Sequence, residues 1–439
     1  MWRGSKLKRV EQAKKLLKEN NQLKILKFLE NIDTEKQEEL AKEILKVDFK
    51  QLHRLYKNRD GKNKRKDNIE PIKYIDKNKL NSKQKQEIEK IGEKVFRQNQ
   101  YAVVTMAGGQ GTRLGFKGPK GTFKLDVDKN GKYIFEILAN TLKSTTAKYG
   151  KEVYWYIMTS VDNNDETISF FEEHEYFGYN KEKVKFFTQN VLPILDFDGN
   201  LLIDSSFKVK EASDGNGGVF IALKNSKMIE DMKLHNIKWV YVCGVDNIMA
   251  NMTDEILLGL AIKNNVPSAS KSVKKAYPEE KVGIFCKKNG KPAIIEYIDM
   301  DKKMIYAEDD EGELLYGESN IVGHLFNIET LEKMADYKFD YHCAVKKNSY
   351  IDENLKEVFP KEPNSLKFEA FIFDGFEYLE DMVILRVNRE EEFAPIKNAT
   401  GVDSPQTAKE IYEKYYETRN SVVWEKICEK CQGREDYLR

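Results

Sequence analysis

Six glycines fall between Ala107 and Gly121, directly after the apolar run Tyr101-Ala-Val-Val-Thr-Met106. Such a run reads as a buried strand, and the glycine cluster at its end is the most constraining feature of the chain. Glycines permit positive φ and let backbone N–H groups approach an anion without side-chain interference. Arg113, Lys117 and Lys120 add positive charge suited to phosphate. Neighbouring templates fail. A Walker A loop needs four residues between its first Gly and Gly-Lys-Ser/Thr, and no such match occurs. The dinucleotide pattern G-x-G-x-x-G, started at Gly109, breaks at Leu114. An ordinary turn-rich loop would not concentrate an arginine and two lysines beyond a buried strand.

Further apolar runs at 151–159, 183–188 and 238–244 alternate with helical patterns at 134–148, 163–174, 218–234 and 254–264. That alternation predicts an α/β domain with a mainly parallel sheet. From about 266 the strands crowd together, at 267–273, 282–287, 292–299 and 319–326, as in an antiparallel lobe inserted in or attached to the sheet. Residues 6–56 carry helical periodicity, with Asp33 or Thr34 as a cap, and another helix covers 82–98. The last segment offers a strand at 383–388, a loop with Pro395 and Pro405, and helices from about 405. The expected division is a helical region over 1–98, a central α/β domain over 99–385 and a small C-terminal domain over 386–439.

Composition narrows the class. None of the apolar runs in the 439 residues approaches the ~18–20 that a membrane span needs. The opening Met-Trp-Arg-Gly-Ser-Lys lacks the apolar segment of a secretory signal. Five sparse cysteines do not make a disulfide framework, so a cytoplasmic protein is expected. Cys428 and Cys431 are the one close pair, and two positions on one helix face explain them better than zinc. The net charge of +1 hides a basic first hundred residues and an acidic remainder. The densest basic stretch, Lys57–Lys66, is interleaved with acid and reads as a solvated linker rather than a nucleic-acid site.

Other residues stand where ligands bind α/β sheets. Asp246 follows the apolar run ending at Gly244, at the carboxyl end of a strand, although a turn or helix-cap Asp would look the same. Gln189 ends another strand, where a polar residue needs no ligand to explain it. Gly215 and Asn216, in Ala212-Ser-Asp-Gly-Asn-Gly-Gly-Val219, would suit an ordinary turn equally well. Asp126-Val-Asp-Lys-Asn-Gly131 imitates a calcium loop, but Ile137 stands where the bidentate carboxylate belongs, and a hairpin with an Asn-Gly turn is expected instead.

The segment Met106–Gly121 resembles the signature of the UTP-dependent sugar-1-phosphate uridylyltransferases. Its wording, Ala-Gly-Gly-Gln-Gly-Thr-Arg-Leu-Gly followed by Pro-Lys-Gly, is similar to the UDP-N-acetylglucosamine pyrophosphorylase branch. The resemblance covers roughly residues 95–405. It implies a Rossmann-like nucleotidyltransferase domain with a mixed, mostly parallel central sheet. It also implies a reaction in which UTP and a sugar 1-phosphate, first of all N-acetylglucosamine 1-phosphate, give a UDP-sugar and pyrophosphate. Carried over position by position, Ala107, Gly108, Gly109, Gly111, Thr112, Gln189 and Gly215 would contact the nucleotide. Asn216, Gly283, Glu296, Tyr297 and Asn320 would contact the sugar. Arg113, Lys120 and Lys397 would be catalytic, Lys367 would face phosphate, and Asp246 would bind Mg²⁺. Lys367 opens a segment, through Asp374, that reads as an apolar helix end. A monomer or weak homodimer is expected. The rivals are the same chemistry on glucose 1-phosphate or N-acetylgalactosamine 1-phosphate, a catalytically silent UDP-sugar binder, and a nucleic-acid binder working through residues 1–66.

Overall fold

The computed structural model describes residues 2–59 and 67–417. Cys428, Cys431 and most of the basic stretch after Lys57 lie outside the described residues. The chain forms two compact units from interleaved segments. One contains residues 1–67, 190–218 and 338–374, and the other 68–189, 219–337 and 375–439. These are not the consecutive blocks 1–98, 99–385 and 386–439 expected above. The helices before residue 60 join one unit, whereas helix Ser82–Arg97 joins the other. Among the described residues no helix is long and apolar enough to cross a membrane.

The larger unit is built on one sheet. Its main path runs Ile75–Asp76, Val383–Val387, Ser268–Lys274, Glu318–Asn327, Trp239–Gly244, Tyr101–Met106, Tyr154–Thr159, Val184–Thr188. The last four of these strands are mutually parallel, and so are the first three. Glu318–Asn327 runs antiparallel to both its neighbours and joins the two parallel sets. The hairpin Ile284–Lys288/Lys291–Ile295 extends from this region. The crowded strands after 266 are therefore part of the central sheet and its hairpin. The strand at 383–387, read above as part of the last segment, lies inside the sheet beside Ser268–Lys274.

Strands Tyr101–Met106 and Tyr154–Thr159 are buried at every position. Burial on both faces is what a continuous apolar run selects. Trp155 is fully buried, packs edge-on to Phe135 and Phe171, and donates from Nε1 to Thr105 Oγ1 at 2.8 Å. The strand leading into the glycine-rich loop is thereby fixed from its neighbour. The predicted helix at 218–234 is two, Val219–Asn225 and Met228–Leu234, broken at Lys227 with φ of 60°.

The smaller unit packs four helices, Trp2–Glu19, Leu23–Asn31, Thr34–Ile44 and Phe49–Asn58, over short strands. Asp33 caps the third, its carboxylate accepting from Lys36 N at 3.0 Å. Leu17, Phe28, Leu29, Leu40 and Leu52 share a core with Leu195, Ile203, Leu366 and Phe368. Ser365–Glu369 is a strand between His342–Lys346 and Leu195–Asp196, which corrects the expected helix end at Lys367. Its residues alternate apolar and polar, the period of a half-buried strand.

Replacing Trp155 by alanine should cost about 3–5 kcal/mol, as deletion of a large buried side chain does. Denaturant unfolding of the two proteins measures it, and a loss well below 1 kcal/mol would mean that Trp155 does not tie the loop-bearing strand down.

Candidate active site

The loop after Met106 closes on itself through a few backbone bonds. Gly111 N donates to Gly118 O at 2.9 Å, Phe116 N to Gly111 O at 3.1 Å, and Lys120 N to Gly109 O at 3.0 Å. Gly115 takes the left-handed conformation, φ 68°, that turns the chain back. The amides of Gly108, Gly109, Gln110, Thr112 and Arg113 donate to no acceptor among the described residues. Ala107 N, one residue earlier, is still bound to the sheet at Met158 O. The structure thus supplies a set of uncommitted donors at the carboxyl end of a buried parallel strand, where α/β sheets bind ligands.

Lys120 follows Pro119, whose backbone pairs with Gln110 across the loop. Gly121 follows in turn, and a Cβ there would sit 2.2 Å from the Phe135 ring. The Pro-Lys-Gly sequence is therefore pressed onto the core, and Lys120 is half-buried. Desolvation pushes its ammonium below the ordinary lysine value. Asp246 opposes that shift, and Arg113 and Lys397 add to it.

Asp246 stands just past Trp239–Gly244 and is half-buried. One of its carboxylate oxygens would lie 2.5 Å from a Cβ at Gly244, so the side chain folds back over the strand end. Its backbone carbonyl accepts from Ile396 N at 2.9 Å. That contact brings the 393–397 segment, and with it Lys397, beside the loop. The Lys397 ammonium is paired with Asp403 at 3.2 Å and lies 5.5 Å from the Phe393 ring.

These parts line one cleft of about 420 Å³, formed by Gly109, Gln110, Thr112, Arg113, Leu114, Lys120, Asp246 and Lys397. Three cations face one carboxylate there. Leu114 and Asp403 were not among the expected contacts. Leu114 adjoins Arg113 in the loop; Asp403 has no signal in the sequence. Among the described residues no cluster of three or more His, Cys, Asp or Glu could hold a metal. One carboxylate beside an anion cradle nonetheless suits Mg²⁺, which commonly takes one or two protein carboxylates with phosphate oxygens and water.

Other expected residues fall into smaller groups. The Gln189 carboxamide lies against Gly108, whose added Cβ would be 2.8 Å from it. Asn320 N donates to Gly283 O at 2.8 Å, and a Cβ at Gly283 would be 3.3 Å from Glu296 Oε1. Gly283, Glu296 and Asn320 are thus neighbours, with Tyr297 next in chain and exposed.

Gly215, Asn216 and Lys367 belong to the smaller unit. Gly215 has φ of 89° and lies so close to Ala370 O that a Cβ would be 2.2 Å away. Asn216 Oδ1 accepts from Ile372 N at 3.0 Å. Lys367 pairs with Glu369 at 2.7 Å. Between them Asp214 is buried, and one of its carboxylate oxygens has no hydrogen-bond partner. Burial pushes its carboxyl up to about 7, against the pull of Asn190 and Lys367.

A mixed, mostly parallel sheet with a basic, glycine-rich cleft at its carboxyl edge is the architecture of a nucleotidyltransferase-type α/β domain. Residues 46–406 match the family described as UTP–glucose-1-phosphate uridylyltransferase, and the chain belongs to it. UDP-N-acetylhexosamine pyrophosphorylase-like protein 1 of Homo sapiens is 36% identical over 332 residues, covering 72% of this chain and 65% of that protein. UDP-N-acetylglucosamine pyrophosphorylase of Saccharomyces cerevisiae is 37% identical over 346 residues, covering 76% of this chain and 72% of that one. The match to the human relative spans just under two thirds of its length. The crystal structure of the uridine diphosphate N-acetylglucosamine pyrophosphorylase of Trypanosoma brucei superposes with a TM-score of 0.77. It shares 28% identity and covers 92% of this chain and 84% of that one.

The Asp214 site yields a pH signature. A carboxyl that binds its proton more tightly in the folded state favours folding below its unfolded value, and that contribution is lost as pH rises through about 7. Asp214→Asn, which keeps the neutral form, should therefore unfold at higher denaturant than the wild type at pH 8, with the difference shrinking by pH 5. Equal differences at both values would show that Asp214 ionises normally.

Proposed function

We propose that the chain is a uridylyltransferase that joins UTP and a sugar 1-phosphate, with N-acetylglucosamine 1-phosphate as first choice, and releases pyrophosphate. The observation that carries the reading is the cleft in which uncommitted loop amides, Arg113, Lys120, Lys397 and Asp246 meet. The names of the relatives support the sugar: the yeast and trypanosome proteins are called UDP-N-acetylglucosamine pyrophosphorylases.

An oxygen of the sugar phosphate attacks the α-phosphorus of UTP. The bond from that phosphorus to the oxygen bridging to the β-phosphate breaks, and pyrophosphate leaves with the electron pair. The attacking oxygen is already anionic, so neither a protein nucleophile nor a general base is needed. Positioning and charge neutralisation then do most of the catalysis. The amides of Gly108, Gly109, Gln110, Thr112 and Arg113 hold the triphosphate. Arg113 and Lys120 offset the charge that gathers on the departing pyrophosphate, and Lys397 offsets charge at the α-phosphate. Lys397 would exchange its Asp403 partner for phosphate. Asp246 would hold Mg²⁺, which when bound supplies further charge neutralisation on the phosphate oxygens.

The Gln189 carboxamide reads the uracil edge, since an amide matches the donor and acceptor pattern of a pyrimidine. Gly283, Glu296, Tyr297 and Asn320 form the sugar subsite, with Glu296 accepting from hydroxyls.

Pyrophosphate release, measured with UTP, Mg²⁺ and a panel of sugar 1-phosphates, tests the reading. N-acetylglucosamine 1-phosphate should give the highest kcat/KM. Absence of release with every sugar would contradict uridylyl transfer, and preference for glucose 1-phosphate would move the substrate alone. Arg113→Ala should lower kcat roughly 10- to 1000-fold, as loss of one transition-state charge contact does. An unchanged rate removes Arg113 from the mechanism.

A further inference from the structure

We propose that Lys271 and Glu392 are positioning residues that set the geometry of Asp246 and Lys397; this rests on the uridylyl-transfer reading for its kinetic consequence alone. Lys271 sits in the middle of strand Ser268–Lys274 and is fully buried. Its ammonium contacts Asp254 at 3.0 Å and Glu392, and donates to Asn251 O at 3.0 Å. Lys77 completes the group, at 2.8 Å from Asp254 and 3.1 Å from Glu392. Two lysines and two carboxylates balance. Burial alone would push the Lys271 ammonium down, and Asp254 and Glu392 outweigh it and hold it up.

What matters is where the partners lie in the chain. Asn251 lies in the loop that carries Asp246, between strand Trp239–Gly244 and helix Glu255–Lys263, whereas Glu392 closes helix Arg389–Glu392 just before the segment that ends with Lys397. Lys271 therefore grips both arms at once. Asn247 then joins them directly. Its Nδ2 donates to Glu392 O at 2.8 Å, and its Oδ1 accepts from Ala394 N at 3.0 Å. Asn247 and Pro395 form a β-bridge, and Ile396 N reaches Asp246 O at 2.9 Å. A continuous line of short contacts thus runs from Lys271 to the residues next to both active groups. Asp254 anchors the far side by capping helix Glu255–Lys263, its Oδ1 accepting from Ile256 N at 2.9 Å.

Lys271 is also built into an irregularity of the sheet. The pairing with Glu318–Asn327 slips between Ser270 and Ser272, and Val322 opposite takes φ of 55°. Such a conformation is costly for a β-branched residue. Asn320 Oδ1 accepts from Val322 N at 2.9 Å and holds it. A simple buried strand would have placed an apolar side chain where Lys271 stands.

Removing one charge leaves its partner buried and unpaired, so the test sets Glu392→Gln beside the double variant Lys271→Met with Glu392→Gln, which removes one charge of each sign and keeps the group balanced. Thermal unfolding first establishes that they fold. Hydrogen exchange on the folded proteins should then quicken about tenfold or more at Ala394 and Ile396, with the strand amides of 101–106 unchanged. In the turnover assay kcat should fall roughly 10- to 100-fold, the scale of a small misplacement, with little change in KM for UTP. In a Lys397→Ala background the same double variant should lose little further, because the groups act through one another. Unchanged protection at 394 and 396, an undiminished kcat loss in the Lys397→Ala background, or failure of both variants to fold would each overturn the assignment. If the wild type releases no pyrophosphate, only the uridylyl-transfer reading falls, and the exchange measurement alone decides the positioning role.

Discussion

A backbone N–H that leaves a buried strand must find an acceptor. In this chain the last sheet bond on the Tyr101–Met106 strand is made by Ala107, and the amides that follow, at 108–110 and 112–113, are committed to nothing in the described protein. The rest of the larger unit keeps those donors in place. Trp155 locks the strand laterally, Phe135 seats Gly121 from below, and the Gly109–Lys120 and Gly111–Gly118 bonds close the loop without using the donors. Dipoles fixed before a ligand arrives need not reorganise when it does, which is the source of most electrostatic catalysis.

The charges obey the same logic. Lys120 is depressed by its own burial and by two neighbouring cations, with Asp246 as the opposing influence. A site with this excess of positive charge is stabilised by an anion and not by a neutral ligand. Asp246 moderates the excess. Lys397, which lines the cleft, is held by Asp403. None of this requires a titrating acid or base in the cleft, consistent with a reaction whose nucleophile is already charged.

Much of this was legible in the sequence, for identifiable reasons. Strands buried on both faces, such as Tyr101–Met106 and Tyr154–Thr159, announce themselves as unbroken apolar runs. The cleft was legible because its loop concentrates glycine and basic residues, and Asp246 because it ends such a strand. The interleaving of the units was not, since a strand such as Val383–Val387 carries no mark of its partner in the sheet, 114 residues earlier in the chain. Ribbons of two or three residues, such as Val191–Pro193, are too short to show a period. Lys367 was misread because Phe368, Ala370 and Phe371 suggested a helix end, although Ser365–Glu369 alternates. Lys271 was invisible: Ser-Ala-Ser-Lys-Ser-Val-Lys looks like a solvated strand, and only Asp254 and Glu392, arriving from elsewhere, make a buried lysine tolerable.

The central claim is that the loop amides, together with a cation on Asp246, grip the phosphate chain of a uridine nucleotide. A crystal structure with UTP and Mg²⁺ tests it most directly. The account predicts phosphate oxygens within hydrogen-bond distance of the 108–113 amides and the cation on Asp246. Triphosphate bound elsewhere, with those amides facing water and Asp246 remote from the cation, would contradict it.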